Sequence, residues 1–151
     1  MTDDLAAVVL AAGAGTRLRP LTDILPKAMC PVDNVALVDL AIDRVRPLTP
    51  LVAVNVHHGR SHLEAHLAGR VHLSMEPELL GTAGALGRLR DWIHGRATVV
   101  VNADALAPLR PLRPARRMGR RAGPPPPRRR RPRSGRLRAV ATVRGVDHAL
   151  V

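Results

Sequence analysis

The chain has 151 residues, enough for one domain of ordinary size. Its formal charge of +12, from 24 Lys and Arg against 12 Asp and Glu, points first to an anionic partner such as nucleic acid, a nucleotide or a membrane surface. That surplus is local. Residues 108–138 hold 13 arginines, eight prolines and no acidic residue, and the rest of the chain carries 11 basic against 12 acidic groups. One aromatic residue, Trp92, disfavours the stacking platforms of single-strand binders. One cysteine, Cys30, excludes an internal disulfide framework and a Cys-based zinc site, and fits a reducing compartment.

The apolar opening from Leu5 to Ala12 is too short to span a bilayer, and it follows Asp3 and Asp4 rather than the positive flank of a signal peptide. No membrane association and a cytoplasmic location are the expectation.

In chain order, residues 5–11 are apolar throughout and read as a buried parallel strand. Gly13, Gly15, Pro20, Pro26 and Pro31 then disfavour any long helix between 13 and 32. Residues 35–46 place Val35, Leu37, Val38, Ala41, Ile42 and Val45 at helical spacing, stopped by Pro47. Residues 51–56 are the second strand. Ser61 is the expected cap of a helix to about Ala68, with Leu63 and Leu67 inward. Residues 70–74 predict a third strand, 82–94 a helix despite Gly84 and Gly87, and 97–101 a fourth strand ending in Asn102, Ala103 and Asp104. Alternation of this kind implies a Rossmann-like α/β fold, with a mostly parallel nucleotide-binding sheet and helices on both faces. Ligands of such sheets bind beyond the carboxyl ends of the strands. Gly13–Arg17, Asn55–His58 and Asn102–Asp104 all fall there.

The organisation is therefore a body over 1–107, a Pro/Arg-rich low-complexity segment over 108–138, expected to be disordered, and a tail over 139–151. Residues 139–146 predict one further strand.

Gly13-Ala14-Gly15-Thr16-Arg17 after a strand has the character of a phosphate cradle, because glycines let backbone N–H groups approach an anion closely. It is not a Walker A loop, which needs Gly-Lys-Ser/Thr. Nor is it a dinucleotide fingerprint, because Leu18 stands where a third small residue is required. A plain glycine turn is the competing reading of the loop alone.

The longer string is more specific. Leu10-Ala-Ala-Gly-Ala-Gly-Thr-Arg-Leu-Arg-Pro-Leu-Thr-Asp-Ile-Leu-Pro-Lys27, followed by Ala-Met-Cys-Pro-Val32, resembles the signature LAAGxGTRLxPLTxxxPKxxxPV of the sugar-phosphate nucleotidyltransferases. Those enzymes include mannose-1-phosphate guanylyltransferases and glucose-1-phosphate thymidylyl- or uridylyltransferases. Glu76 to Leu86 (EPELLGTAGAL) and Val99 to Asp104 (VVVNAD) resemble two further segments, so the likeness covers roughly residues 5–107.

The resemblance implies transfer of a nucleoside monophosphate from an NTP to a sugar 1-phosphate, with release of pyrophosphate. It implies that Leu10, Ala11, Ala12, Gly13, Ala14, Gly15 and Thr16 cradle the nucleotide. It assigns Arg17 to the β/γ-phosphates, Lys27 to the α-phosphate or sugar phosphate, and Asp104 to Mg²⁺. Glu76, Gly81, Thr82 and Gly84 fall near the base or ribose. GTP, dTTP and UTP are the candidate donors, and the GTAGAL segment resembles the guanylyltransferase branch.

Relatives run well beyond 200 residues in that resemblance, and residues 108–138 match nothing expected after Asp104. A frameshifted or truncated gene product, with a bare sheet edge and marginal stability, is the expectation. Two alternatives stand beside the enzyme: nucleic-acid binding through the arginine-rich tail, and an inactive nucleotide-binding fragment. The residues do not indicate an oligomeric state.

Overall fold

The structure is a computed structural model that describes residues 4–105 and, as backbone, 140–143. The Pro/Arg-rich segment lies outside the described residues. Strand β1 (Leu5–Leu10) is followed by single turns only: a 3-10 turn at Thr16–Leu18, helix α1 (Leu21–Ile24) and a second 3-10 turn at Lys27–Met29. Proline and glycine spacing had left no room for more. Strands β2 (Pro31–Val32) and β3 (Val35–Ala36) form a small antiparallel hairpin. Asp33 and Asn34 close it with φ of +48° and +64°, and such residues tolerate left-handed backbone best after glycine.

That hairpin corrects the helix expected over 35–46. Val35 and Ala36 pair with Val32 and Pro31, and α2 runs Leu37–Val45. Its inward stripe is Leu37, Val38, Ala41, Ile42 and Val45, all buried. Strand β4 (Val52–Val56) is buried at every position. Helix α3 (Arg60–Leu67) buries Leu63 and Leu67 as predicted.

Ser61 is not its cap. The N-cap is Gly59 at φ +64°, and a Cβ there would lie 2.0 Å from Cγ of Pro26. The helix start is set by close packing on the Pro26 loop, which a search for hydroxyl caps does not detect.

Strand β5 spans His72–Met75, two residues later at its start than expected. The helix expected over 82–94 is two pieces, α4 (Gly81–Arg88) and α5 (Arg90–Ile93). The break falls at Leu89, φ −82° and ψ 1°, just after Gly87. Glycine weakens a helix interior, and Leu86, Leu89 and Ile93 still bury against the same sheet face across the break. Strand β6 (Ala97–Asn102) and strand β7 (Val140–Val143) complete the sheet.

The five-stranded order is β5-β4-β1-β6-β7, parallel throughout. On one face Ala7, Val9, Val54, Val56, Val99 and Val101 pack against α2 and α3. On the other, Val8, Ala53 and Val100 pack against α4 and α5. Successive β1 residues thus face opposite layers, which explains why the strand is apolar at every position. The expected bare edge of β6 is not bare, because Thr98 to Val101 are in register with Val140 to Val143. Among the described residues no helix is long and apolar enough to cross a membrane.

Candidate functional site

In a parallel sheet the carboxyl ends of all strands lie on one side, and there the chain opens a cleft of about 320 Å³. One wall is the end of β1, Leu10–Gly13. A second wall is Leu79, Gly81 and Thr82, where α4 begins. Lys27 and Ala28 come from the second 3-10 turn, Asn55 from β4, and Asn102, Ala103 and Asp104 from the end of β6.

Lys27 Nζ donates to Asp104 Oδ2 across this cleft. The two residues are 77 apart in sequence, so only the parallel pairing of β1 with β6 brings their segments together. Lys27 is held by its neighbours. Gly15 turns at φ +65°, and a Cβ there would lie 2.7 Å from Lys27 Cβ and 2.9 Å from Thr22 Cγ2. Thr22 Oγ1 donates to the Gly15 carbonyl at 3.0 Å. The glycine at 15 therefore seats the loop on the lysine turn, a tighter requirement than a simple bend.

Asn55, which lines the cleft, and Glu76 form a buried polar chain. Ala11 N–H donates to Asn55 Oδ1 at 2.8 Å. Asn55 Nδ2 donates to Glu76 Oε1 at 2.9 Å. Leu80 N–H donates to Glu76 Oε2 at 3.2 Å. The Glu76 carboxylate also lies at the N-terminal end of α4, where the helix dipole favours negative charge. Glu76 N–H donates to the Val56 carbonyl at 2.8 Å, and Nδ1 of His57 lies 2.9 Å from the Glu76 carbonyl oxygen.

Of the residues singled out in the sequence, Leu10, Ala11, Ala12, Gly13, Lys27, Gly81, Thr82 and Asp104 line the cleft. Ala14, Gly15, Thr16 and Arg17 do not. After Gly13 the chain folds back on Lys27, leaving Arg17 exposed in the Thr16–Leu18 turn. Glu76 does not line it either: the carboxylate faces Asn55 and Leu80. Gly84 lies within α4, where a Cβ would meet Leu80 Cβ at 2.6 Å, so it serves packing of the helix start. Asn55, Asn102 and Ala103, which the sequence placed at strand ends without a role, line the cleft too, and Ala28 and Leu79 line it without having been singled out.

His66 on α3 is engaged in an ion-pair cluster. His66 Nε2 lies 2.6 Å from Asp39 Oδ2, whose other oxygen meets Arg70 Nη1 at 2.9 Å. Among the described residues no group of three or more His, Cys, Asp or Glu converges on one point. Cys30 is buried, with Sγ 3.7 Å from the Pro26 carbonyl oxygen.

A parallel sheet with helices on both faces and a cleft across its strand ends is the architecture of a nucleotide-binding α/β protein. The nucleotidyl transferase family model matches residues 6–117, and the chain belongs to that family. It is 44% identical over 75 residues to N-acetylmuramate alpha-1-phosphate uridylyltransferase of Caulobacter vibrioides, covering 49% of this chain and 31% of that protein. It is 36% identical over 101 residues to the bifunctional protein GlmU of Listeria innocua, covering 65% and 21%. Among solved structures, CTP:phosphocholine cytidylyltransferase from Streptococcus pneumoniae superposes with a TM-score of 0.58 at 25% identity, over 67% of this chain and 45% of that one. The chain thus spans a fifth to a third of these curated relatives and under half of the solved one.

Proposed function

We propose that the chain carries the NTP-binding part of a nucleotidyltransferase that joins a nucleoside monophosphate to a sugar 1-phosphate. The observation that carries this reading is the meeting of Lys27 and Asp104 at a cleft walled by Leu10–Gly13. A phosphate oxygen of the sugar attacks the α-phosphorus, the bond to the bridging oxygen breaks, and pyrophosphate leaves with that electron pair. No covalent enzyme intermediate is required, so the protein contributes positioning and charge neutralisation. In this reading the Leu10–Gly13 backbone receives the nucleotide and Lys27 neutralises the α-phosphate or sugar phosphate. Arg17 reaches the β/γ-phosphates from the exposed turn, with Ala14, Gly15 and Thr16 shaping its approach. Gly81 and Thr82 border the base or ribose.

Asp104 fits a magnesium ion of one kind. Its carboxylate lines the cleft with Oδ2 accepting from Lys27 Nζ, a cation that a bound metal ion would displace, and no cluster of three or more potential ligands is present among the described residues. Mg²⁺ retains waters and takes substrate phosphates, so one carboxylate suffices as a protein anchor. When bound, the ion would lower the charge on the phosphates.

The body over 1–107 is the functional unit in this reading. Use of the nucleoside triphosphate pool places the reaction in the cytoplasm. The guanylyl-like GTAGAL segment and the uridylyltransferase relative name different bases. A matrix of UTP, GTP and dTTP against sugar 1-phosphates, read by pyrophosphate release, selects between them. Absence of both turnover and NTP binding would overturn the reading; binding without turnover would leave the inactive-fragment alternative.

A further inference from the structure

We infer that Asn55 and Glu76 are positioning residues that lock the two walls of the cleft at a fixed separation, rather than ligands of the nucleotide. The inference rests on the functional reading above for its ligand arm alone. Asn55 is 4% exposed and Glu76 3%. Their side chains run between Ala11 on one wall and Leu80, the residue before Gly81, on the other.

The polarity of this chain is determined by its ends. Both ends are backbone N–H donors, Ala11 and Leu80. The two side chains between them must accept at each end and share one donor–acceptor link in the middle. One amide plus one carboxylate achieves this. Two amides leave a donor against a donor, and two carboxylates leave no proton for the central link. Because Ala11 N–H requires an oxygen, the Asn55 amide has only one satisfied orientation. A buried carboxylate without a cation is costly unless its oxygens are hydrogen-bonded. Here each oxygen accepts one bond, from Asn55 and from Leu80, at the positive end of α4. Both oxygens are thereby directed to protein donors. In this proposal Glu76 acts through Asn55 and Leu80 rather than at the base.

The same logic supplies the test, because the polarity can be reversed without changing shape. Asn55→Asp and Glu76→Gln are each isosteric, and each alone breaks one link. Together they restore all three: the new carboxylate at 55 accepts from Ala11 and from the new amide at 76, whose oxygen accepts from Leu80. Backbone hydrogen exchange of the full chain is measured for the parent, both single variants and the double variant. Mg²⁺·NTP affinity is measured alongside by titration with UTP, GTP and dTTP, at a temperature where each variant is folded.

The expected result is exchange at Ala11 or Leu80 accelerated tenfold or more in the single variants, without general loss of protection in β1, β4 and β6. NTP affinity is expected to fall about tenfold in each, and the double variant to return to within about threefold of the parent in both readouts. Unchanged exchange at Ala11 and Leu80 overturns the proposal. So does a double variant no better than the singles, a uniform loss of protection across the sheet, or unchanged NTP affinity in the folded single variants. If a single variant does not fold, the double variant decides by folding and exchanging as the parent does. If the parent itself binds no NTP, the functional reading fails, and the exchange arm still decides the lock.

Discussion

Replacing Lys27 with Met removes the ammonium while keeping the length of the side chain, and the structure gives opposite signs for its two consequences. The Lys27 side chain is 26% exposed and that of Asp104 44%. A pair this open to water contributes about 0–1 kcal/mol after solvent screening. The thermal midpoint of Lys27→Met should therefore move little. A divalent ion binding Asp104 without nucleotide must displace the ammonium, so losing it should raise metal-only affinity, by at most about fivefold for ~1 kcal/mol. A charge-assisted bond to a phosphate oxygen contributes about 1.5–3 kcal/mol, so NTP affinity should fall by roughly one to two orders of magnitude. Calorimetric titration with Mn²⁺ alone and then with NTP in the presence of metal measures both. A folded variant that loses metal-only affinity, or keeps NTP affinity within about threefold, would refute the reasoning.

Asp104→Asn should abolish the metal dependence of NTP binding while leaving the midpoint of thermal unfolding nearly unchanged, as circular dichroism and titration would show together. Leu63→Ala should cost about 2–5 kcal/mol in denaturant unfolding, because Leu63 is fully buried beneath α3. Gly59→Ala should cost more than Gly69→Ala. Both sit at positive φ, but a Cβ at 59 meets Pro26 at 2.0 Å whereas one at 69 meets nothing within 4 Å. The control should lose about 1 kcal/mol or somewhat more from backbone strain alone, and equal losses by chemical unfolding would contradict the packing argument. Removal of residues 140–143 should free the β6 edge and increase self-association, measurable by light scattering; an unchanged monomer fraction would count against it.

The order and type of the main elements were legible because parallel strands buried on both faces are continuous apolar runs, as in Leu5–Leu10 and Val52–Val56. The inward stripe of α2 was equally plain from helical spacing. Errors arose where turn geometry overrode side-chain pattern, through a distant residue in one case and neighbouring ones in the other. Gly59, not Ser61, starts α3 because Pro26 lies against it, and Pro26 is 33 residues earlier in the chain. Val35 and Ala36 pair as strand because Asp33 and Asn34 accept left-handed backbone, although their side chains continue the helical period.

By itself the sequence determined the α/β class, and its resemblance to the sugar-phosphate nucleotidyltransferases pointed to Leu10–Gly13, Lys27 and Asp104. These depend on local composition and on motifs contiguous in the chain. The tertiary structure alone decided which charges meet. Parallel pairing of β1 with β6 sets Leu10 beside Asn102 and so brings Asp104 to Lys27. It also decided that Glu76 turns inward, because β4 and β5 are in register and place Asn55 within hydrogen-bond reach of it. A carboxylate's role is set by the donors that surround it, and those donors come from segments that meet only on folding.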